Sequence, residues 1–462
     1  MKKFDKDKYL RKLRFKKYKR YLYIGLPCFL VLLIGIYFAY SKFSVYKDSE
    51  VVKTTVGEFL YGDIIINSYI DGVYSSTFPE KRVGINVEKV TCDNDVTGKW
   101  DEDTWQLRVA NLKKRTKCNV YFVTPSSCDI NDNVKCIGSR DELATLATEV
   151  NNGDNKSGKI YYLTSDIDLG GKFDSSGNAL SGNTSWTPIG TEDNPFSGIF
   201  NGNGHIISNM YVDRSNYDYN GLFGSAKNGV IENLGVISSF VKGKEFNAGI
   251  VGKIGTVKNS FNLATVKSNG RTGGICGISC YVINSYNGGN IISGDIDLVG
   301  GISGGYETIR NCYNYGTINA NHYSIGGILG WDGNVYNSYN LGTVNGGLEI
   351  GTSGVLGQAV DGNVISNSYN SGNISKGGGI LGVIYDLKSI DNITINNNYY
   401  LKGTANYGLW YYNSDYHAES LEANEMPSVI SVINENNAFV SDTNNINNGY
   451  PILKWQNERE NN

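Results

Sequence analysis

Two pairs of aspartates have the spacing that carbohydrate-cleaving chemistry would need. Asp166 and Asp168 form one pair, and Asp295 and Asp297 form the other. Residues i and i+2 of a β-strand point to the same face, so each pair would place two carboxyl groups side by side. A carboxylic acid beside a carboxylate is the arrangement that cleaves glycosidic bonds. The alternative interpretation, which we favour, is that both pairs are solvated strand ends.

The three histidines do not form a zinc-peptidase motif. His205, His322 and His417 are followed by Ile, Tyr and Ala, whereas that motif requires His-Glu-x-x-His. His205 lies in an Asn-Gly-Asn-Gly-His turn, which favours a structural role. Residues 220–400 also contain few arginines, although lyase chemistry needs a basic residue near acids. We therefore predict no catalytic residue, no metal site and no cofactor.

The eight cysteines fall into three groups. Cys28 lies in an apolar run near the N-terminus. Four others fall within one 45-residue window that contains no Cys-x-x-Cys pair, which favours disulfides over a metal site. Their candidate bridges are Cys92–Cys118 and Cys128–Cys136, although three pairings remain open. The last three cysteines are predicted to be small buried hydrophobic side chains: Cys276, Cys280 and Cys312.

An aromatic residue recurs in register through the second half of the chain, at Phe261, Tyr286, Tyr313, Tyr339 and Tyr369. Facing outward, these rings would stack on sugars or on a protein partner. Facing inward, they would form an internal ladder, which we favour because aromatic residues repeated in register commonly pack on each other. The four tyrosines remain the candidate surface-binding residues.

The elements that position these residues repeat. A Gly–apolar–x–Gly element begins at seven positions spaced 25 to 28 residues apart, and an Asn-x-aromatic-Asn element follows in five units. Val or Ile stands two residues before each such Asn and seven residues after it. Much of the high content of Gly (57) and Asn (56 of 462 residues) is therefore positional. The seven starting glycines are Gly221, Gly249, Gly274, Gly301, Gly327, Gly354 and Gly379.

A period near 26 residues predicts stacked units that cannot bury a core alone. The glycine content excludes helical repeats, and the period is too short for propeller blades. Short β-branched runs bounded by Gly or Asn instead predict an all-β, right-handed parallel β-helix. Val and Ile should form internal columns, while Asn should stand at bends, where it tolerates left-handed backbone angles and can hydrogen-bond along the stack.

The repeats resemble the GLUG-motif repeats of bacterial surface proteins and of the non-catalytic part of immunoglobulin-A-cleaving peptidases. Gly221-Leu222-Phe223-Gly224 is the segment most similar to the motif. Residues 161–169, 186–190 and 196–210 resemble the approach to such arrays, and 420–434 and 448–455 resemble their closing segments. The resemblance covers residues 139–455, and it implies a β-helix without implying an activity.

The N-terminus predicts a membrane anchor. Residues 1–20 contain eleven Lys or Arg and two Asp, and residues 21–40 contain no charge. Twenty helical residues span about 30 Å, the thickness of the hydrocarbon core. Because the basic flank stays in the cytoplasm, we predict a single-pass anchor at 21–41 that contacts membrane lipid and leaves an extracellular ectodomain. From residue 43 onward, 43 acidic residues exceed 30 basic ones, which disfavours a nucleic-acid partner.

The predicted organisation follows the chain. The tail 1–20 and the anchor 21–41 precede a small disulfide-bonded β module at 44–125, with a hairpin turn at residues 100–105. A Cys-bounded linker at 126–138 leads to an N-terminal cap and the first coils at 139–219. A helix at 139–151, with Ser139 and Glu142 as a capping box, begins that segment. The repeats occupy 220–400, and 401–462 form a C-terminal cap.

We therefore expect a non-catalytic surface protein that binds or adheres to an extracellular protein or glycan. The alternative is a carbohydrate-active enzyme, a polysaccharide lyase or glycoside hydrolase, that uses acidic residues on the β-helix surface. A third possibility, a spacer that holds the 44–125 module away from the membrane, is opposed by chain order, because that module lies nearest the anchor.

Overall fold

The computed structural model describes residues 64–70, 73–75, 86–93, 96–101, 106–110, 116–123, 133–294, 298–386, 392–409, 418–434 and 437–460. The chain forms two compact units, Met1–Ser127 and Cys128–Asn462. The predicted tail at 1–20 and anchor at 21–41 lie outside the described residues. Within the described part of the chain, no helix has the length and apolar character needed to cross a membrane.

The first unit contains a four-stranded sheet in the order Val73–Ser75, Ile64–Ile70, Thr116–Val123 and Asn86–Cys92. A hairpin of Thr97–Asp101 and Gln106–Ala110 packs with it, as the turn residues at 100–105 predicted. The predicted Cys92–Cys118 disulfide is present and joins two neighbouring strands. The core of this unit consists of Trp100, Leu107, Cys118, Val120 and Phe122.

The second unit is a parallel β-solenoid of about ten turns, so the predicted parallel β-helix is confirmed, while its right hand stays a prediction. Successive turns pair strand above strand in one register, for example Val257 with Val282 and Val282 with Ile309. The largest sheet of the solenoid has 18 strands: Val134–Ile137, Ile160–Leu163, Ile199–Asn201, Phe223–Ser225, Val230–Glu232, Val251–Lys258, Thr272–Gly273, Cys276–Ile283, Val299–Gly300, Ser303–Arg310, Ile325–Gly326, Leu329–Tyr336, Thr352–Ser353, Leu356–Ala359, Val364–Ser366, Gly378–Ile384, Thr394–Asn396 and Tyr407–Leu409.

Two further parallel sheets complete the turns. The second sheet has ten strands: Ile167–Asp168, Ile206–Ser208, Gly235–Ile237, Phe261–Asn262, Tyr286–Asn287, Tyr313–Asn314, Tyr339–Asn340, Tyr369–Asn370, Asn398–Leu401 and Ala418–Leu421. The third sheet has six: Tyr211–Arg214, Phe240–Gly243, Thr265–Ser268, Ile291–Ser293, Ile318–Ala320 and Val344–Gly346.

The predicted Val and Ile columns form the core. The column that precedes each Asn element is almost fully buried, and it packs against the apolar residue of the Gly–apolar element. The column that follows each Asn element is buried as well. The two columns are Val257, Val282, Ile309, Val335 and Ile365, and Val266, Ile291, Ile318, Val344 and Ile374.

The two asparagines of each repeat have different roles. The first adopts the left-handed conformation, as Asn284 (φ 48°) and Asn311 (φ 53°) do, and donates its side-chain amide to the equivalent Asn of the preceding turn. The second points into the solenoid, so that Asn287 donates to Asn314 at 2.8 Å. The prediction of asparagines at bends, bonded along the stack, is confirmed for the first column. The second column is an internal ladder that the sequence reasoning did not separate from it.

The helix Arg140–Asn151 begins at the predicted cap, because Ser139 accepts a hydrogen bond from the amide of Glu142. The Glu142 carboxylate accepts from the amide of Gly138, one residue earlier than in the standard capping box. Leu143, Leu146 and Val150 are the buried stripe. The remaining elements are the 3-10 turn Met426–Val429, the helices Ile430–Ile433 and Lys454–Glu460, and the antiparallel pair Phe439–Val440 and Ile452–Leu453.

Two sequence predictions need correction. Val134–Ile137, assigned to a linker, pairs in parallel with Ile160–Leu163 and forms the first strand of the solenoid. Cys276 and Cys280, expected to be free hydrophobic side chains, form a disulfide, because a bend in their strand brings them together. Cys312 is free and buried, as expected.

Candidate ligand-binding surfaces

The aromatic column stacks in register, but it lies outside the solenoid core. Each tyrosine precedes an inward-pointing Asn, and adjacent residues of a strand point to opposite faces. Neighbouring rings lie nearly parallel with centroids 4.8 to 5.1 Å apart, from Phe261 through Tyr286, Tyr313 and Tyr339 to Tyr369. The rings therefore form a ladder on the outer side of the turns, and not the internal ladder that we favoured.

The C-terminal cover, which we define as residues 422–434 and 437–460, lies on this column. Tyr339 donates its hydroxyl to Gln456 at 2.7 Å, and Trp455 donates its indole N–H to the carbonyl of Asn311 at 2.9 Å. Tyr339 and Tyr369 are fully buried in a cluster with apolar side chains of the cover, and burial raises the pKa of both hydroxyls. The part of the column at Tyr339 and Tyr369 is thus closed to ligands in this structure.

Asp166 and Asp168, the acid pair within the described residues, accept hydrogen bonds from neighbouring loops. Asp166 accepts hydrogen bonds from the amide of Ile206 at 3.0 Å and pairs with His205 at 3.1 Å. These contacts, the amide first, lower the pKa of Asp166, so it stays ionised and is unsuited to donate a proton. Asp168 accepts from the amide of Gly170. Asp295 and Asp297 lie outside the described residues, as do Cys128 and His417; Cys136 is disulfide-bonded.

A cavity of about 450 Å³ lies beside the helix Arg140–Asn151. The ammonium group of Lys156, which lines the cavity, is 2.6 Å from Glu149 and 2.5 Å from Asp154. Burial lowers the pKa of Lys156, but the hydrogen bonds that it donates to Asp154 and Glu149 outweigh that effect and the pKa is raised. The charges of this cavity neutralise one another, so it offers no free acid or base from this group.

An exposed aromatic surface lies on the largest sheet, and the sequence reasoning missed it. We define the Trp331 surface by side chains on three successive turns: Tyr281, Tyr306, Thr308, Arg310, Trp331 and Tyr336. The Tyr306 and Trp331 rings meet edge to face with centroids 4.8 Å apart. Arg310 lies 3.9 Å above the Tyr336 ring. Tyr281 and Tyr306 expose 39% and 48% of their surface, which leaves their rings open to a ligand.

Two local features hold this surface in place. Tyr306 adopts a left-handed conformation, with φ of 60°, at the bend of its strand, as the equivalent residues Ser279 and Asp332 do in the neighbouring turns. The following turn keeps the bend at Asp332, and the turn after it replaces the bend with a loop at 360–363, in which Asn363 donates to Asp332 at 3.0 Å. This hydrogen bond holds the loop next to Trp331, at the edge of the surface.

Trp331 differs from the tryptophans that serve packing. Trp186 and Trp455 donate their indole N–H groups to backbone carbonyls, whereas the indole nitrogen of the half-buried Trp331 is itself buried and has no hydrogen-bond partner among the described residues. Its position in neighbouring turns is occupied by Gly305 and Gln358. The available signal in the sequence was that Trp331 is the one Trp within residues 220–400.

No family model matches the chain. Two curated relatives match parts of it: Halomucin from Haloquadratum walsbyi, 36% identical over 140 residues, which are 30% of this chain and 2% of that protein, and a "Putative Gly-rich membrane protein" from Evansella cellulosilytica, 34% identical over 102 residues, which are 21% of this chain and 11% of that protein. This chain therefore spans only a small share of either relative.

Two solved structures are similar in outline. A putative immunoglobulin A1 protease from Bacteroides ovatus aligns with 69% of this chain and 92% of its own, at 22% identity and a TM-score of 0.45. A structure named IgA1 Protease aligns with 70% of this chain and 26% of its own, at 13% identity and a TM-score of 0.39.

Proposed function

We propose that this protein is a non-catalytic, cell-surface binding protein whose β-solenoid binds a glycan at the Trp331 surface. The observation that carries the proposal is the pair of exposed rings of Tyr281 and Tyr306 beside the half-buried Trp331, held by a left-handed bend and a neighbouring loop. Aromatic rings present apolar faces to the C–H groups of a sugar ring, and the nearby hydroxyls and Arg310 can bond sugar hydroxyls.

Location at the surface is supported by three observations. The N-terminus has a basic run followed by an uncharged apolar run, the first unit contains the Cys92–Cys118 disulfide, and disulfides persist in oxidising compartments. A relative is also named as a membrane protein. We include in the proposal that the N-terminus anchors the protein, and that its repeats belong with the GLUG-motif surface proteins that they resemble.

A glycan fits the Trp331 surface better than an apolar protein partner does. The aromatic rings lie beside the polar side chains of Thr308 and Arg310. None of the residues that define this surface is a large aliphatic residue. The surface is also built on rigid strands rather than on a mobile loop, which preorganises the aromatic rings for stacking. Adhesion to host or neighbouring cells would follow from such binding.

The test is glycan-array binding by the full-length protein, alongside a sugar-release assay with the same glycans. Trp331→Ala should weaken binding at least tenfold, because truncating a central aromatic anchor commonly costs about 2 kcal/mol or more. Tyr217→Ala, which removes a 60% exposed aromatic residue on another turn, is the matched control and should bind normally. Sugar release that is lost in Asp166→Asn would instead establish the enzymatic alternative, and binding unchanged in Trp331→Ala would exclude this surface.

A further inference from the structure

One inner corner of the solenoid departs from its neighbours in chemistry. Four successive turns bend at a left-handed residue, and the residues three before and one after the bend face each other across it. The outer two turns place an aliphatic residue and a glycine there, whereas the middle two place side chains with sulfur or oxygen. The four pairs, in chain order, are Val251 and Gly255, Cys276 and Cys280, Ser303 and Glu307, and Leu329 and Gly333.

The heteroatoms of the middle pairs converge. The sulfur atoms of Cys276 and Cys280 and a carboxylate oxygen of Glu307 all lie within 4.8 Å of one another, and all three residues are buried. Cys276 and Cys280 form a disulfide across the bend. In the next turn, Ser303 donates its hydroxyl to the Glu307 carboxyl group. Two sulfurs and two oxygen-bearing side chains therefore share one corner.

Packing does not require the carboxyl group at this corner. Glycine occupies the equivalent position in the turns before and after, at Gly255 and Gly333, so the solenoid closes there without a side chain. Glu307 is 6% exposed, and its carboxyl group faces the Ser303 hydroxyl and the backbone amides of Cys280 and Ser279. Its second carboxyl oxygen has no well-aligned hydrogen bond among the described residues. Burial of an oxygen without a full hydrogen bond costs free energy. Glycine would fit at this position, so the presence of a glutamate needs an explanation other than packing.

We propose that this corner is a redox-controlled metal site that binds one zinc-like divalent ion when Cys276 and Cys280 are reduced. Three ligands are the two cysteine sulfurs and the Glu307 carboxylate. The Ser303 hydroxyl lies beside them and supplies the fourth ligand atom, an oxygen. The disulfide form has no free thiolate and does not bind the ion. The oxidation state in which the chain folds then decides between a corner closed by the disulfide and a corner closed by the metal ion.

The chemistry balances with a low-molecular-weight dithiol as the reductant. The dithiol transfers two electrons and two protons to the Cys276–Cys280 disulfide, and it becomes a disulfide itself. Metal binding then displaces the two thiol protons and the carboxyl proton, because thiolate and carboxylate are the ligating forms. The complex of two thiolates, one carboxylate and a divalent cation carries one net negative charge.

The ligand set and its size fit zinc. Zinc accepts sulfur and oxygen ligands in a tetrahedral arrangement, with Zn–S bonds of about 2.3 Å, which separates two ligating sulfurs by about 3.8 Å. The limit of 4.8 Å among the three ligand atoms leaves room for this spacing with small side-chain rotations once the S–S bond is broken. Because the corner is buried, the ion would enter before the turns close.

The test uses the full-length chain, unfolded and refolded without oxygen with dithiothreitol and zinc chloride, then freed of unbound metal. The decisive variant is Cys276→Val with Cys280→Gly, which carries the residues of the preceding turn and keeps the other cysteines. The wild type should retain one more zinc per chain than this variant, by elemental analysis. Refolding with an oxidant and zinc should abolish the difference. Circular dichroism would verify that each sample is folded.

Two further variants separate the metal site from a general thiol effect. Cys312→Ser, which adopts the Ser found at this position in the neighbouring repeats, should retain as much zinc as the wild type. Glu307→Gln should weaken zinc binding at least tenfold. X-ray absorption of the extra zinc should show two sulfur ligands and oxygen ligands. Equal zinc in the wild type and the double variant, unchanged affinity in Glu307→Gln, or a shell of sulfur alone would each overturn the proposal.

Discussion

The hydroxyl of Tyr369 donates a hydrogen bond to the backbone carbonyl of Pro451, which lies 82 residues later in the chain. Asn447 donates its side-chain amide to the same hydroxyl. The Tyr369–Pro451 bond links the outward aromatic ladder to the C-terminal cover, and both of its residues are buried. It converts a column of aromatic side chains that would otherwise be open to solvent into a second core.

Tyr369→Phe should therefore loosen the cover while leaving the turns intact. The substitution keeps the ring but removes the hydroxyl that joins Pro451 and Asn447, at a cost of about 1–3 kcal/mol. Hydrogen exchange should rise in residues 439–456 and stay unchanged in the strands of the large sheet. Tyr385→Phe, at a residue that is 72% exposed, is the control and should change neither quantity.

The internal asparagine ladder should contribute more to the free energy of unfolding than the exposed pair of Asn319 and Asn345 does. Asn314 accepts from Asn287 and donates to Asn340, both at 2.8 Å, and it is fully buried. Asn314→Ala removes one buried hydrogen bond from each neighbour and should lower the free energy of unfolding by about 3 kcal/mol. Asn319→Ala, on an exposed Asn–Asn pair, should lower it by less than about 1 kcal/mol. Equal losses in denaturant unfolding would contradict the role of the internal ladder.

The first glycine of each repeat leaves room for this ladder. A Cβ atom at Gly274 would lie 2.2 Å from the side-chain carbon of Asn287 and 2.4 Å from the carbonyl of Gly301. Gly274→Ala should therefore destabilise the solenoid by at least about 2 kcal/mol, because backbone atoms on the next turn would have to move. The control is Gly294→Ala, where the nearest atom is 3.5 Å away, and its thermal midpoint should stay close to that of the wild type.

Stability should depend on pH through Glu307. Burial raises the pKa of its carboxyl group well above the usual 4.5, so the folded state holds the proton more tightly than the unfolded state. This contribution is complete below about pH 4.5 and is lost as the pH rises towards the folded-state value. Glu307→Gln, which cannot ionise, should gain stability relative to the wild type as the pH increases from about 4 to about 8. A difference in unfolding midpoint that does not vary with pH would refute this.

Removal of the disulfide in the first unit should unfold that unit selectively. Cys92 and Cys118 are 26 residues apart, and a crosslink over such a loop stabilises by about 3–4 kcal/mol on the chain-entropy model. Cys92→Ser with Cys118→Ser should increase proteolysis within residues 64–123 and leave residues 133–409 protected. Mass spectrometry of the fragments would measure both, and equal protection of the first unit in both proteins would count against the bridge as its main support.

The sequence by itself determined the solenoid, because its information is periodic. Val and Ile at fixed offsets, such as Val282 and Ile309, must stack when turns of equal length pair in register, and Asn284 must stand at a bend because few other residues accept that backbone. The capping box at Ser139 and the hairpin at residues 100–105 are equally local signals. Each of these features depends on near neighbours in the chain or on a repeat, so the order of residues is enough to predict it.

Only the tertiary structure decided which side chains lie against one another between distant parts of the chain. The burial of Tyr339 and Tyr369 depended on a partner segment that is far along the chain, and the aromatic residues of that segment carry no periodic signal. The disulfide at Cys276 and Cys280 required a bend whose position the spacing alone did not give. Trp331 stands out because its neighbours on adjacent turns are small or polar, and adjacency between turns exists only after the chain has folded.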